Sequence, residues 1–295
     1  MIERYSRKEI KKIVMEENSL HVAIIQADLV WENPNQNREN FTKKIEEITK
    51  DVDLIVLPEM FTSGFTMTPE HIAETEEGET IIWMKKMAFQ KQAAIVGSVA
   101  IKDNNHYYNR LFFVHQNGLV DTYDKKHTFT LAGEDKVYKR GNSKVIVSYK
   151  GFKIQPLICY DLRFPVWSRI AEEDYDVLIY VANWPKIRVH AWNTLLQARA
   201  IENMSYCIGV NRVGLDANNY EYSGHSAVYD ALGKQLSNFK EDEEMIEITT
   251  LSKTHLTTIK EKLKFEKIEK MCKKVDFSMT NSLIIHVFYI FKFNS

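Results

Sequence analysis

The 295-residue chain carries 39 Lys and Arg against 40 Asp and Glu, a net charge of −1, with 44% hydrophobic and 12% aromatic residues. That supplies one large core or two modest ones, and the balanced charge lacks the basic field that a nucleic acid or an anionic membrane would attract. The opening MIERYSRKEIKKIVMEENSL is too polar for a secretory signal, and the longest apolar stretch, LIIHVFYIF, is far shorter than the ~20 residues of a bilayer helix. A soluble, cytoplasmic protein with no nucleic-acid and no membrane partner is expected. Cys159, Cys207 and Cys272 show no metal-ligand spacing and cannot pair fully, which fits a reducing compartment.

In chain order, strand-length apolar runs fall at 21–26, 54–58, 93–101, 108–115, 153–160, 177–183, 206–212, 225–230 and 245–249. Helical patterns lie between them at 36–50, 79–92, 164–173 and 189–203. Several runs are apolar on successive residues, as in a sheet covered on both faces, whereas 106–125 and 222–236 alternate with hairpin-like turns. The pattern predicts a mixed sheet of α/β (α+β) type. Three runs end in polar residues, Glu59, Cys159 with Asp161, and Asn183 with Trp184, which suggests one site at the strand ends. Residues 1–19 are charged and helix-prone, and 262–295 shift from a Lys-rich run to an apolar one. An N-terminal extension, a central domain over 20–261 and an atypical C-terminal tail are therefore expected.

A thiol at a strand end before a turn is a candidate nucleophile, because nearby backbone N–H groups favour the thiolate and cradle an oxyanion. Cys159 has that position, although a small buried hydrophobe would occupy it equally well. Cys207 in YCIGV reads as core, and Cys272 has no role. None of the nine histidines has a clear claim as base; His127 and His190 lie in polar stretches and His225 begins an apparent strand. Glu59 interrupts an apolar strand just after Pro58, where burial would raise its pKa towards neutrality; a satisfied structural carboxylate is the other reading. Lys125 in YDKKHTF and Glu134 in LAGEDKVY are anonymous singly.

Together, LPEMF, YDKKHTFTLAGE and CYDLRFP, in that order, resemble the nitrilase superfamily of carbon–nitrogen hydrolases. The resemblance covers about residues 20–260, including Gln26, YKRGN, VANWP and ARAIENMSYCIGVNR. It implies Glu59 as general base, Lys125 as the catalytic lysine of a K-x-H pattern closed by His127, Cys159 as nucleophile, and Glu134 as a brace for the lysine. It further implies a four-layer α-β-β-α sandwich and a homodimer paired through helices after the Cys159 strand. AGED, CYDLRFPVWSR, NWP and ARAIEN most resemble the omega-amidase branch, which hydrolyses the terminal amide of 2-oxoglutaramate or 2-oxosuccinamate. On that reading Lys125 and the Tyr160 backbone N–H hold the oxyanion, and no metal or organic cofactor is needed. A keto-acid amide needs a distant cation for its carboxylate, for which Arg188 is the candidate or else a surface arginine. Phe61, Phe65 and Trp184 are candidate pocket walls or core. Another amide, carbamoyl or nitrile substrate, or a binding protein on the same fold, are the rival readings. Two segments depart from the branch: IKEKLKFEKIEKMCKK lacks its proline-containing acidic close, and MIERYSRKEI resembles the opening of adenylosuccinate lyases over too short a span to carry function.

Overall fold

The computed structural model describes residues 18–170 and 175–263. The expected extension and tail lie almost wholly outside these; Ser19 of the former already begins the first strand, and Lys262 and Leu263 end the last helix. Cys272 also lies outside the described residues. The chain divides after Leu256 into two units, and both sheets and the site belong to the first; of the second, only the close of the last helix is described.

In chain order the strands are β1 (Ser19–Gln26), β2 (Leu54–Val56), β3 (Ala94–Asp103), β4 (His106–Val114), β5 (Val120–Asp124), β6 (Val147–Tyr149) and β7 (Phe152–Ile158). There follow β8 (Val177–Ala182), β9 (Tyr206–Asn211), β10 (Val213–Leu215), β11 (Glu221–Ser223), β12 (Ala227–Tyr229) and β13 (Met245–Ser252). The helices are α1 (Pro34–Glu46), α2 (Glu79–Lys91), α3 (Glu134–Val137), α4 (Pro165–Ser168), α5 (Val189–Asn203) and α6 (Lys253–Leu263).

One sheet has the order β13-β1-β2-β3-β4-β5 and a second has β12-β9-β8-β7-β6, while β10 and β11 form a separate hairpin. In the first, β1, β2 and β3 are parallel; in the second, β7, β8 and β9 are. These central strands are buried on both faces, which explains their unbroken apolar runs.

Each sheet carries helices on its outer face. Asn33 caps α1 by accepting from Gln36 N–H at 3.1 Å, Pro34 follows at the first turn, and Phe41 and Ile45 fall one turn apart on the buried face. With Ile81, Met84 and Met87 of α2 they pack on Ala23, Ile25, Ile55 and Ile95 of the first sheet. On the other sheet α5 buries Trp192, Leu196 and Ala200. Gly209 of β9 makes that approach possible, since a Cβ there would lie 2.3 Å from Leu196 Cδ1 and 2.7 Å from Trp192 Cζ2.

The inner faces meet each other. The Tyr149 hydroxyl donates to Asp53 O (2.8 Å) and accepts from Ala94 N–H (3.2 Å), and the Tyr206 hydroxyl donates to Ser252 O and accepts from Ser252 N–H, both at 3.1 Å. The result is the α-β-β-α sandwich. The helix expected at 164–173 is instead a tight 3-10 turn, Cys159–Arg163, followed by the single turn α4, because Phe164 (φ −112°, ψ 88°) breaks the helical path before Pro165; residues 171–174 lie outside the described set.

Candidate active site

The parallel strands β2, β7 and β8 all point their C-terminal ends to one edge, and β5 runs the same way through two antiparallel steps from β3. Glu59 follows β2, Lys125 follows β5, Cys159 follows β7 and Asn183 follows β8. Four segments far apart in sequence therefore converge at one place.

After Glu59 the backbone turns through the left-handed region at Met60 (φ 43°), a turn pinned by Met60 N–H donating to Ser98 Oγ at 2.9 Å. Lys125 N–H donates to Asn109 O (3.0 Å), and Gly141 N–H to Lys125 O (2.9 Å). Only glycine fits at 141, where a Cβ would stand 2.2 Å from Asp124 O. Cys159 itself has φ 42°, a position L-residues rarely take, which lifts its side chain off the strand path at the start of the 3-10 turn.

The head groups are in contact. Lys125 Nζ lies 2.8 Å from Glu59 Oε1 and 3.0 Å from Glu134 Oε1, all three side chains at most 1% exposed. Asn109 Nδ2 donates to Glu59 Oε1 at 2.8 Å and to Glu134 Oε1 at 3.4 Å, so one amide steadies both carboxylates. Glu59 Oε2 accepts from Asn183 N–H (2.8 Å) and its carbonyl from Asn183 Nδ2 (2.6 Å). Glu134 Oε2 accepts from Phe129 N–H at 2.5 Å. The thiol donates to Asn183 O at 3.9 Å and lies within the electrostatic reach of the Glu59 carboxylate.

Burial, then the Glu59 charge, push the Cys159 thiol well above its ordinary range, against the opposing pull of Lys125. At rest the sulfur holds its proton and faces a base. Burial alone would lower the Lys125 pKa, but Glu134, Glu59 and Cys159 together outweigh it and raise it, keeping the ammonium charged. Burial raises Glu134, with Lys125 opposing.

Above these groups opens a cavity of about 620 Å³, with Cys159 in its lining and Glu59 and Lys125 beneath. Tyr160, Trp184, Phe65 and Arg188 line it as well. Phe65 places its ring 4.9 Å from Lys125 Nζ, and Trp184 Nε1 donates to Arg188 O at 2.8 Å. Arg188 Cζ lies 5.2 Å over the Phe129 ring. Phe61 is a correction: it lies in the core, edge-on to Phe41 with ring centroids at 5.4 Å, because the turn at Met60 carries the chain back onto the helix-covered face of the sheet.

Several contributors were missed in the sequence. Arg163, four residues after Cys159, also lines the cavity, with Cζ 5.0 Å over the Trp184 ring. Among the described residues neither Arg163 nor Arg188 forms an ion pair with a carboxylate, unlike Arg38, Arg110, Arg199 and Arg212. Asn109 stood inside an apolar strand, where its polarity was the available signal. Of the histidines, His127 is engaged with Asp161, not with the thiol. Among the described residues no group of three or more His, Cys, Asp or Glu could hold a metal ion, and no helix is long and apolar enough to cross a membrane.

Comparison with known proteins agrees with this geometry. Residues 21–261 match the family model described as carbon-nitrogen hydrolase. The chain is 46% identical over 215 residues to omega-amidase YafV of Escherichia coli (strain K12), covering 73% of this chain and 83% of that protein. It is 33% identical over 220 residues to the 2-oxoglutaramate amidase of Bacillus subtilis (strain 168), covering 73% and 85% respectively. Among solved structures, a CN-hydrolase superfamily protein from Xanthomonas campestris with an arsenic adduct in its active site superposes with a TM-score of 0.81 at 38% identity, covering 83% of this chain and 95% of that one. With strand-end residues in this arrangement and a family match across both sheets, the chain belongs to the carbon–nitrogen hydrolase family.

Proposed function

We propose that this protein is an omega-amidase, which hydrolyses the terminal amide of 2-oxo acid amides such as 2-oxoglutaramate and 2-oxosuccinamate to the 2-oxo dicarboxylate and ammonia. The observation that carries the reading is a buried Glu59–Lys125–Cys159 cluster under a cavity whose wall holds two arginines that have no acidic partner among the described residues. The similarity to proteins named omega-amidase and 2-oxoglutaramate amidase supports the choice of substrate.

Glu59 accepts the thiol proton as Cys159 Sγ attacks the amide carbon. Two of the three Lys125 N–H donors are engaged by Glu59 and Glu134, which leaves one for the developing oxyanion. The Tyr160 N–H, in the first turn of the 3-10 segment, is the second donor, since an N–H there has no intrahelical acceptor. Glu59 returns the proton to nitrogen, the C–N bond breaks and ammonia leaves a thioester on Cys159. Water then attacks the thioester while Glu59 takes its proton; the C–S bond breaks and the thiol regains a proton. Atoms and protons balance with water as the sole co-reactant. Glu134 braces Lys125, Arg188 with Arg163 receives the distal carboxylate, and Phe65 and Trp184 wall the pocket.

We also infer a hydrolase domain over 20–261, a homodimer, and a cytoplasmic location suited to a thiol nucleophile. Light scattering of the full chain tests the homodimer. For the reaction, ammonia release is measured over a panel of 2-oxoglutaramate, 2-oxosuccinamate and aliphatic amides of equal length without a carboxylate. The keto-acid amides are expected to dominate kcat/KM; equal turnover of the uncharged amides would reject the substrate assignment.

A further inference from the structure

Asp161 does not reach the cavity and takes no step in the chemistry above, yet its carboxylate is fully buried and its acceptor sites are filled. Oδ1 accepts from His127 N–H at 2.9 Å and lies 2.7 Å from His127 Nδ1. Oδ2 accepts from the Tyr123 hydroxyl at 2.7 Å and from Ile158 N–H at 3.1 Å. These donors come from both sheets. Tyr123 is in β5 and His127 follows it, on either side of Lys125; Ile158 ends β7, directly before Cys159.

The tie extends outward. The Tyr123 hydroxyl accepts from Trp167 Nε1 at 2.9 Å and from Lys126 N–H at 3.3 Å. The His127 ring stacks on Phe164 with centroids 3.8 Å apart and planes within 7°. Burial, then the Asp161 charge, hold the Tyr123 phenol well above its ordinary pKa, so it remains a donor. Asp161 also closes the turn in which Cys159 is held at φ 42°, a backbone state that persists only when its surroundings over-determine it.

We propose that Asp161 is a positioning residue that clasps the lysine-bearing loop of one sheet to the cysteine-bearing turn of the other, and so sets the Lys125–Cys159 register. The proposal rests on the amidase reading for its consequence in turnover. It does not need that reading for its consequence at the thiol. Asp161→Asn keeps the shape but presents an amide N–H₂ to one pair of donors, which breaks one half of the clasp.

The test uses the full chain, with folding checked by circular dichroism well below the unfolding temperature. Three quantities are read: kcat/KM for 2-oxoglutaramate, the rate of Cys159 alkylation by iodoacetamide, and the affinity for 2-oxoglutaramate in a Cys159→Ala background with and without Asp161→Asn. A misplacement on the ångström scale is expected to lower kcat/KM about 10²-fold and alkylation about tenfold, with affinity changed less than about threefold. A merely structural role would lower stability and leave alkylation of the folded protein unchanged. Wild-type alkylation and kcat/KM in folded Asp161→Asn would overturn the proposal. Should that variant not fold, Tyr123→Phe, which removes one donor and keeps the ring, is expected to lower both rates; both unchanged would overturn it equally. If the wild type released no ammonia while alkylation still fell in Asp161→Asn, the clasp would stand and the substrate assignment would not.

Discussion

Replacing Lys125 by Met keeps the length and apolar volume of the side chain while deleting the cation between Glu59 and Glu134. At 2.8 and 3.0 Å, and with an effective dielectric constant of about 20, each of its ion pairs is worth on the order of 5 kcal/mol before desolvation. Removing one partner of a buried pair strands the opposing charge, at a typical net cost of about 3–5 kcal/mol. For a chain of this size that corresponds to a fall in Tm of roughly 6–20 °C at pH 8. Glu134, already raised by burial and relieved chiefly by the Lys125 charge, with the Phe129 N–H as a smaller aid, would rise further in the variant. A carboxyl whose folded pKa exceeds its unfolded value adds stability below the unfolded value and loses it as pH rises through the folded one. The Lys125→Met deficit should therefore shrink on acidification from pH 8 towards pH 5, and adding Glu134→Gln should recover stability at pH 8 without recovering turnover. Calorimetry at the two pH values measures this. A Lys125→Met protein with the wild-type Tm and no pH dependence would mean that the three head groups do not share one buried site.

Three further outcomes follow from the geometry. Because burial and Glu59 raise the thiol pKa, wild-type alkylation by iodoacetamide should show no thiolate inflection between pH 6 and 9; Glu59→Gln removes a raising charge, leaves Lys125, and should bring an inflection to lower pH, followed by stopped assays across that range. Arg188→Ala should weaken kcat/KM for 2-oxoglutaramate by about 10–100-fold, the worth of a charged hydrogen bond, and leave uncharged amides nearly unaffected. Gly209→Ala forces a methyl against Leu196 and Trp192 and should cost about 1–3 kcal/mol of stability in urea unfolding, with the site chemistry intact in the folded fraction.

The clustered head groups were more legible in the sequence than the residues that hold them in place. Glu59 and Cys159 each interrupt or end an apolar run, whereas Lys125 follows the polar VDTYD and stands out only through the order of the motifs; the helix at 189–203 has its expected bounds because its apolar spacing is periodic and its end is sharp. Phe61 and Phe65 were indistinguishable as aromatics four apart; the left-handed residue Met60 decides that one enters the core and the other faces the cavity. A non-glycine left-handed turn leaves no compositional trace, and the same holds at Cys159. The short β6 was missed because three residues carry too little periodicity. Asn109 and Asp161 act through partners 25 or more residues away; the Asn109 pairing exists only once β2 to β5 have assembled into one sheet, and the Asp161 pairing only once the two sheets are stacked.

Acid-quenching the enzyme during turnover of 2-oxoglutaramate and weighing the peptide that contains Cys159 tests the thioester most directly. The account requires a mass gain equal to the substrate acyl group on Cys159, absent in Cys159→Ala, which should release no ammonia above background. An unmodified Cys159 peptide during steady turnover, together with wild-type ammonia release by Cys159→Ala, would contradict it.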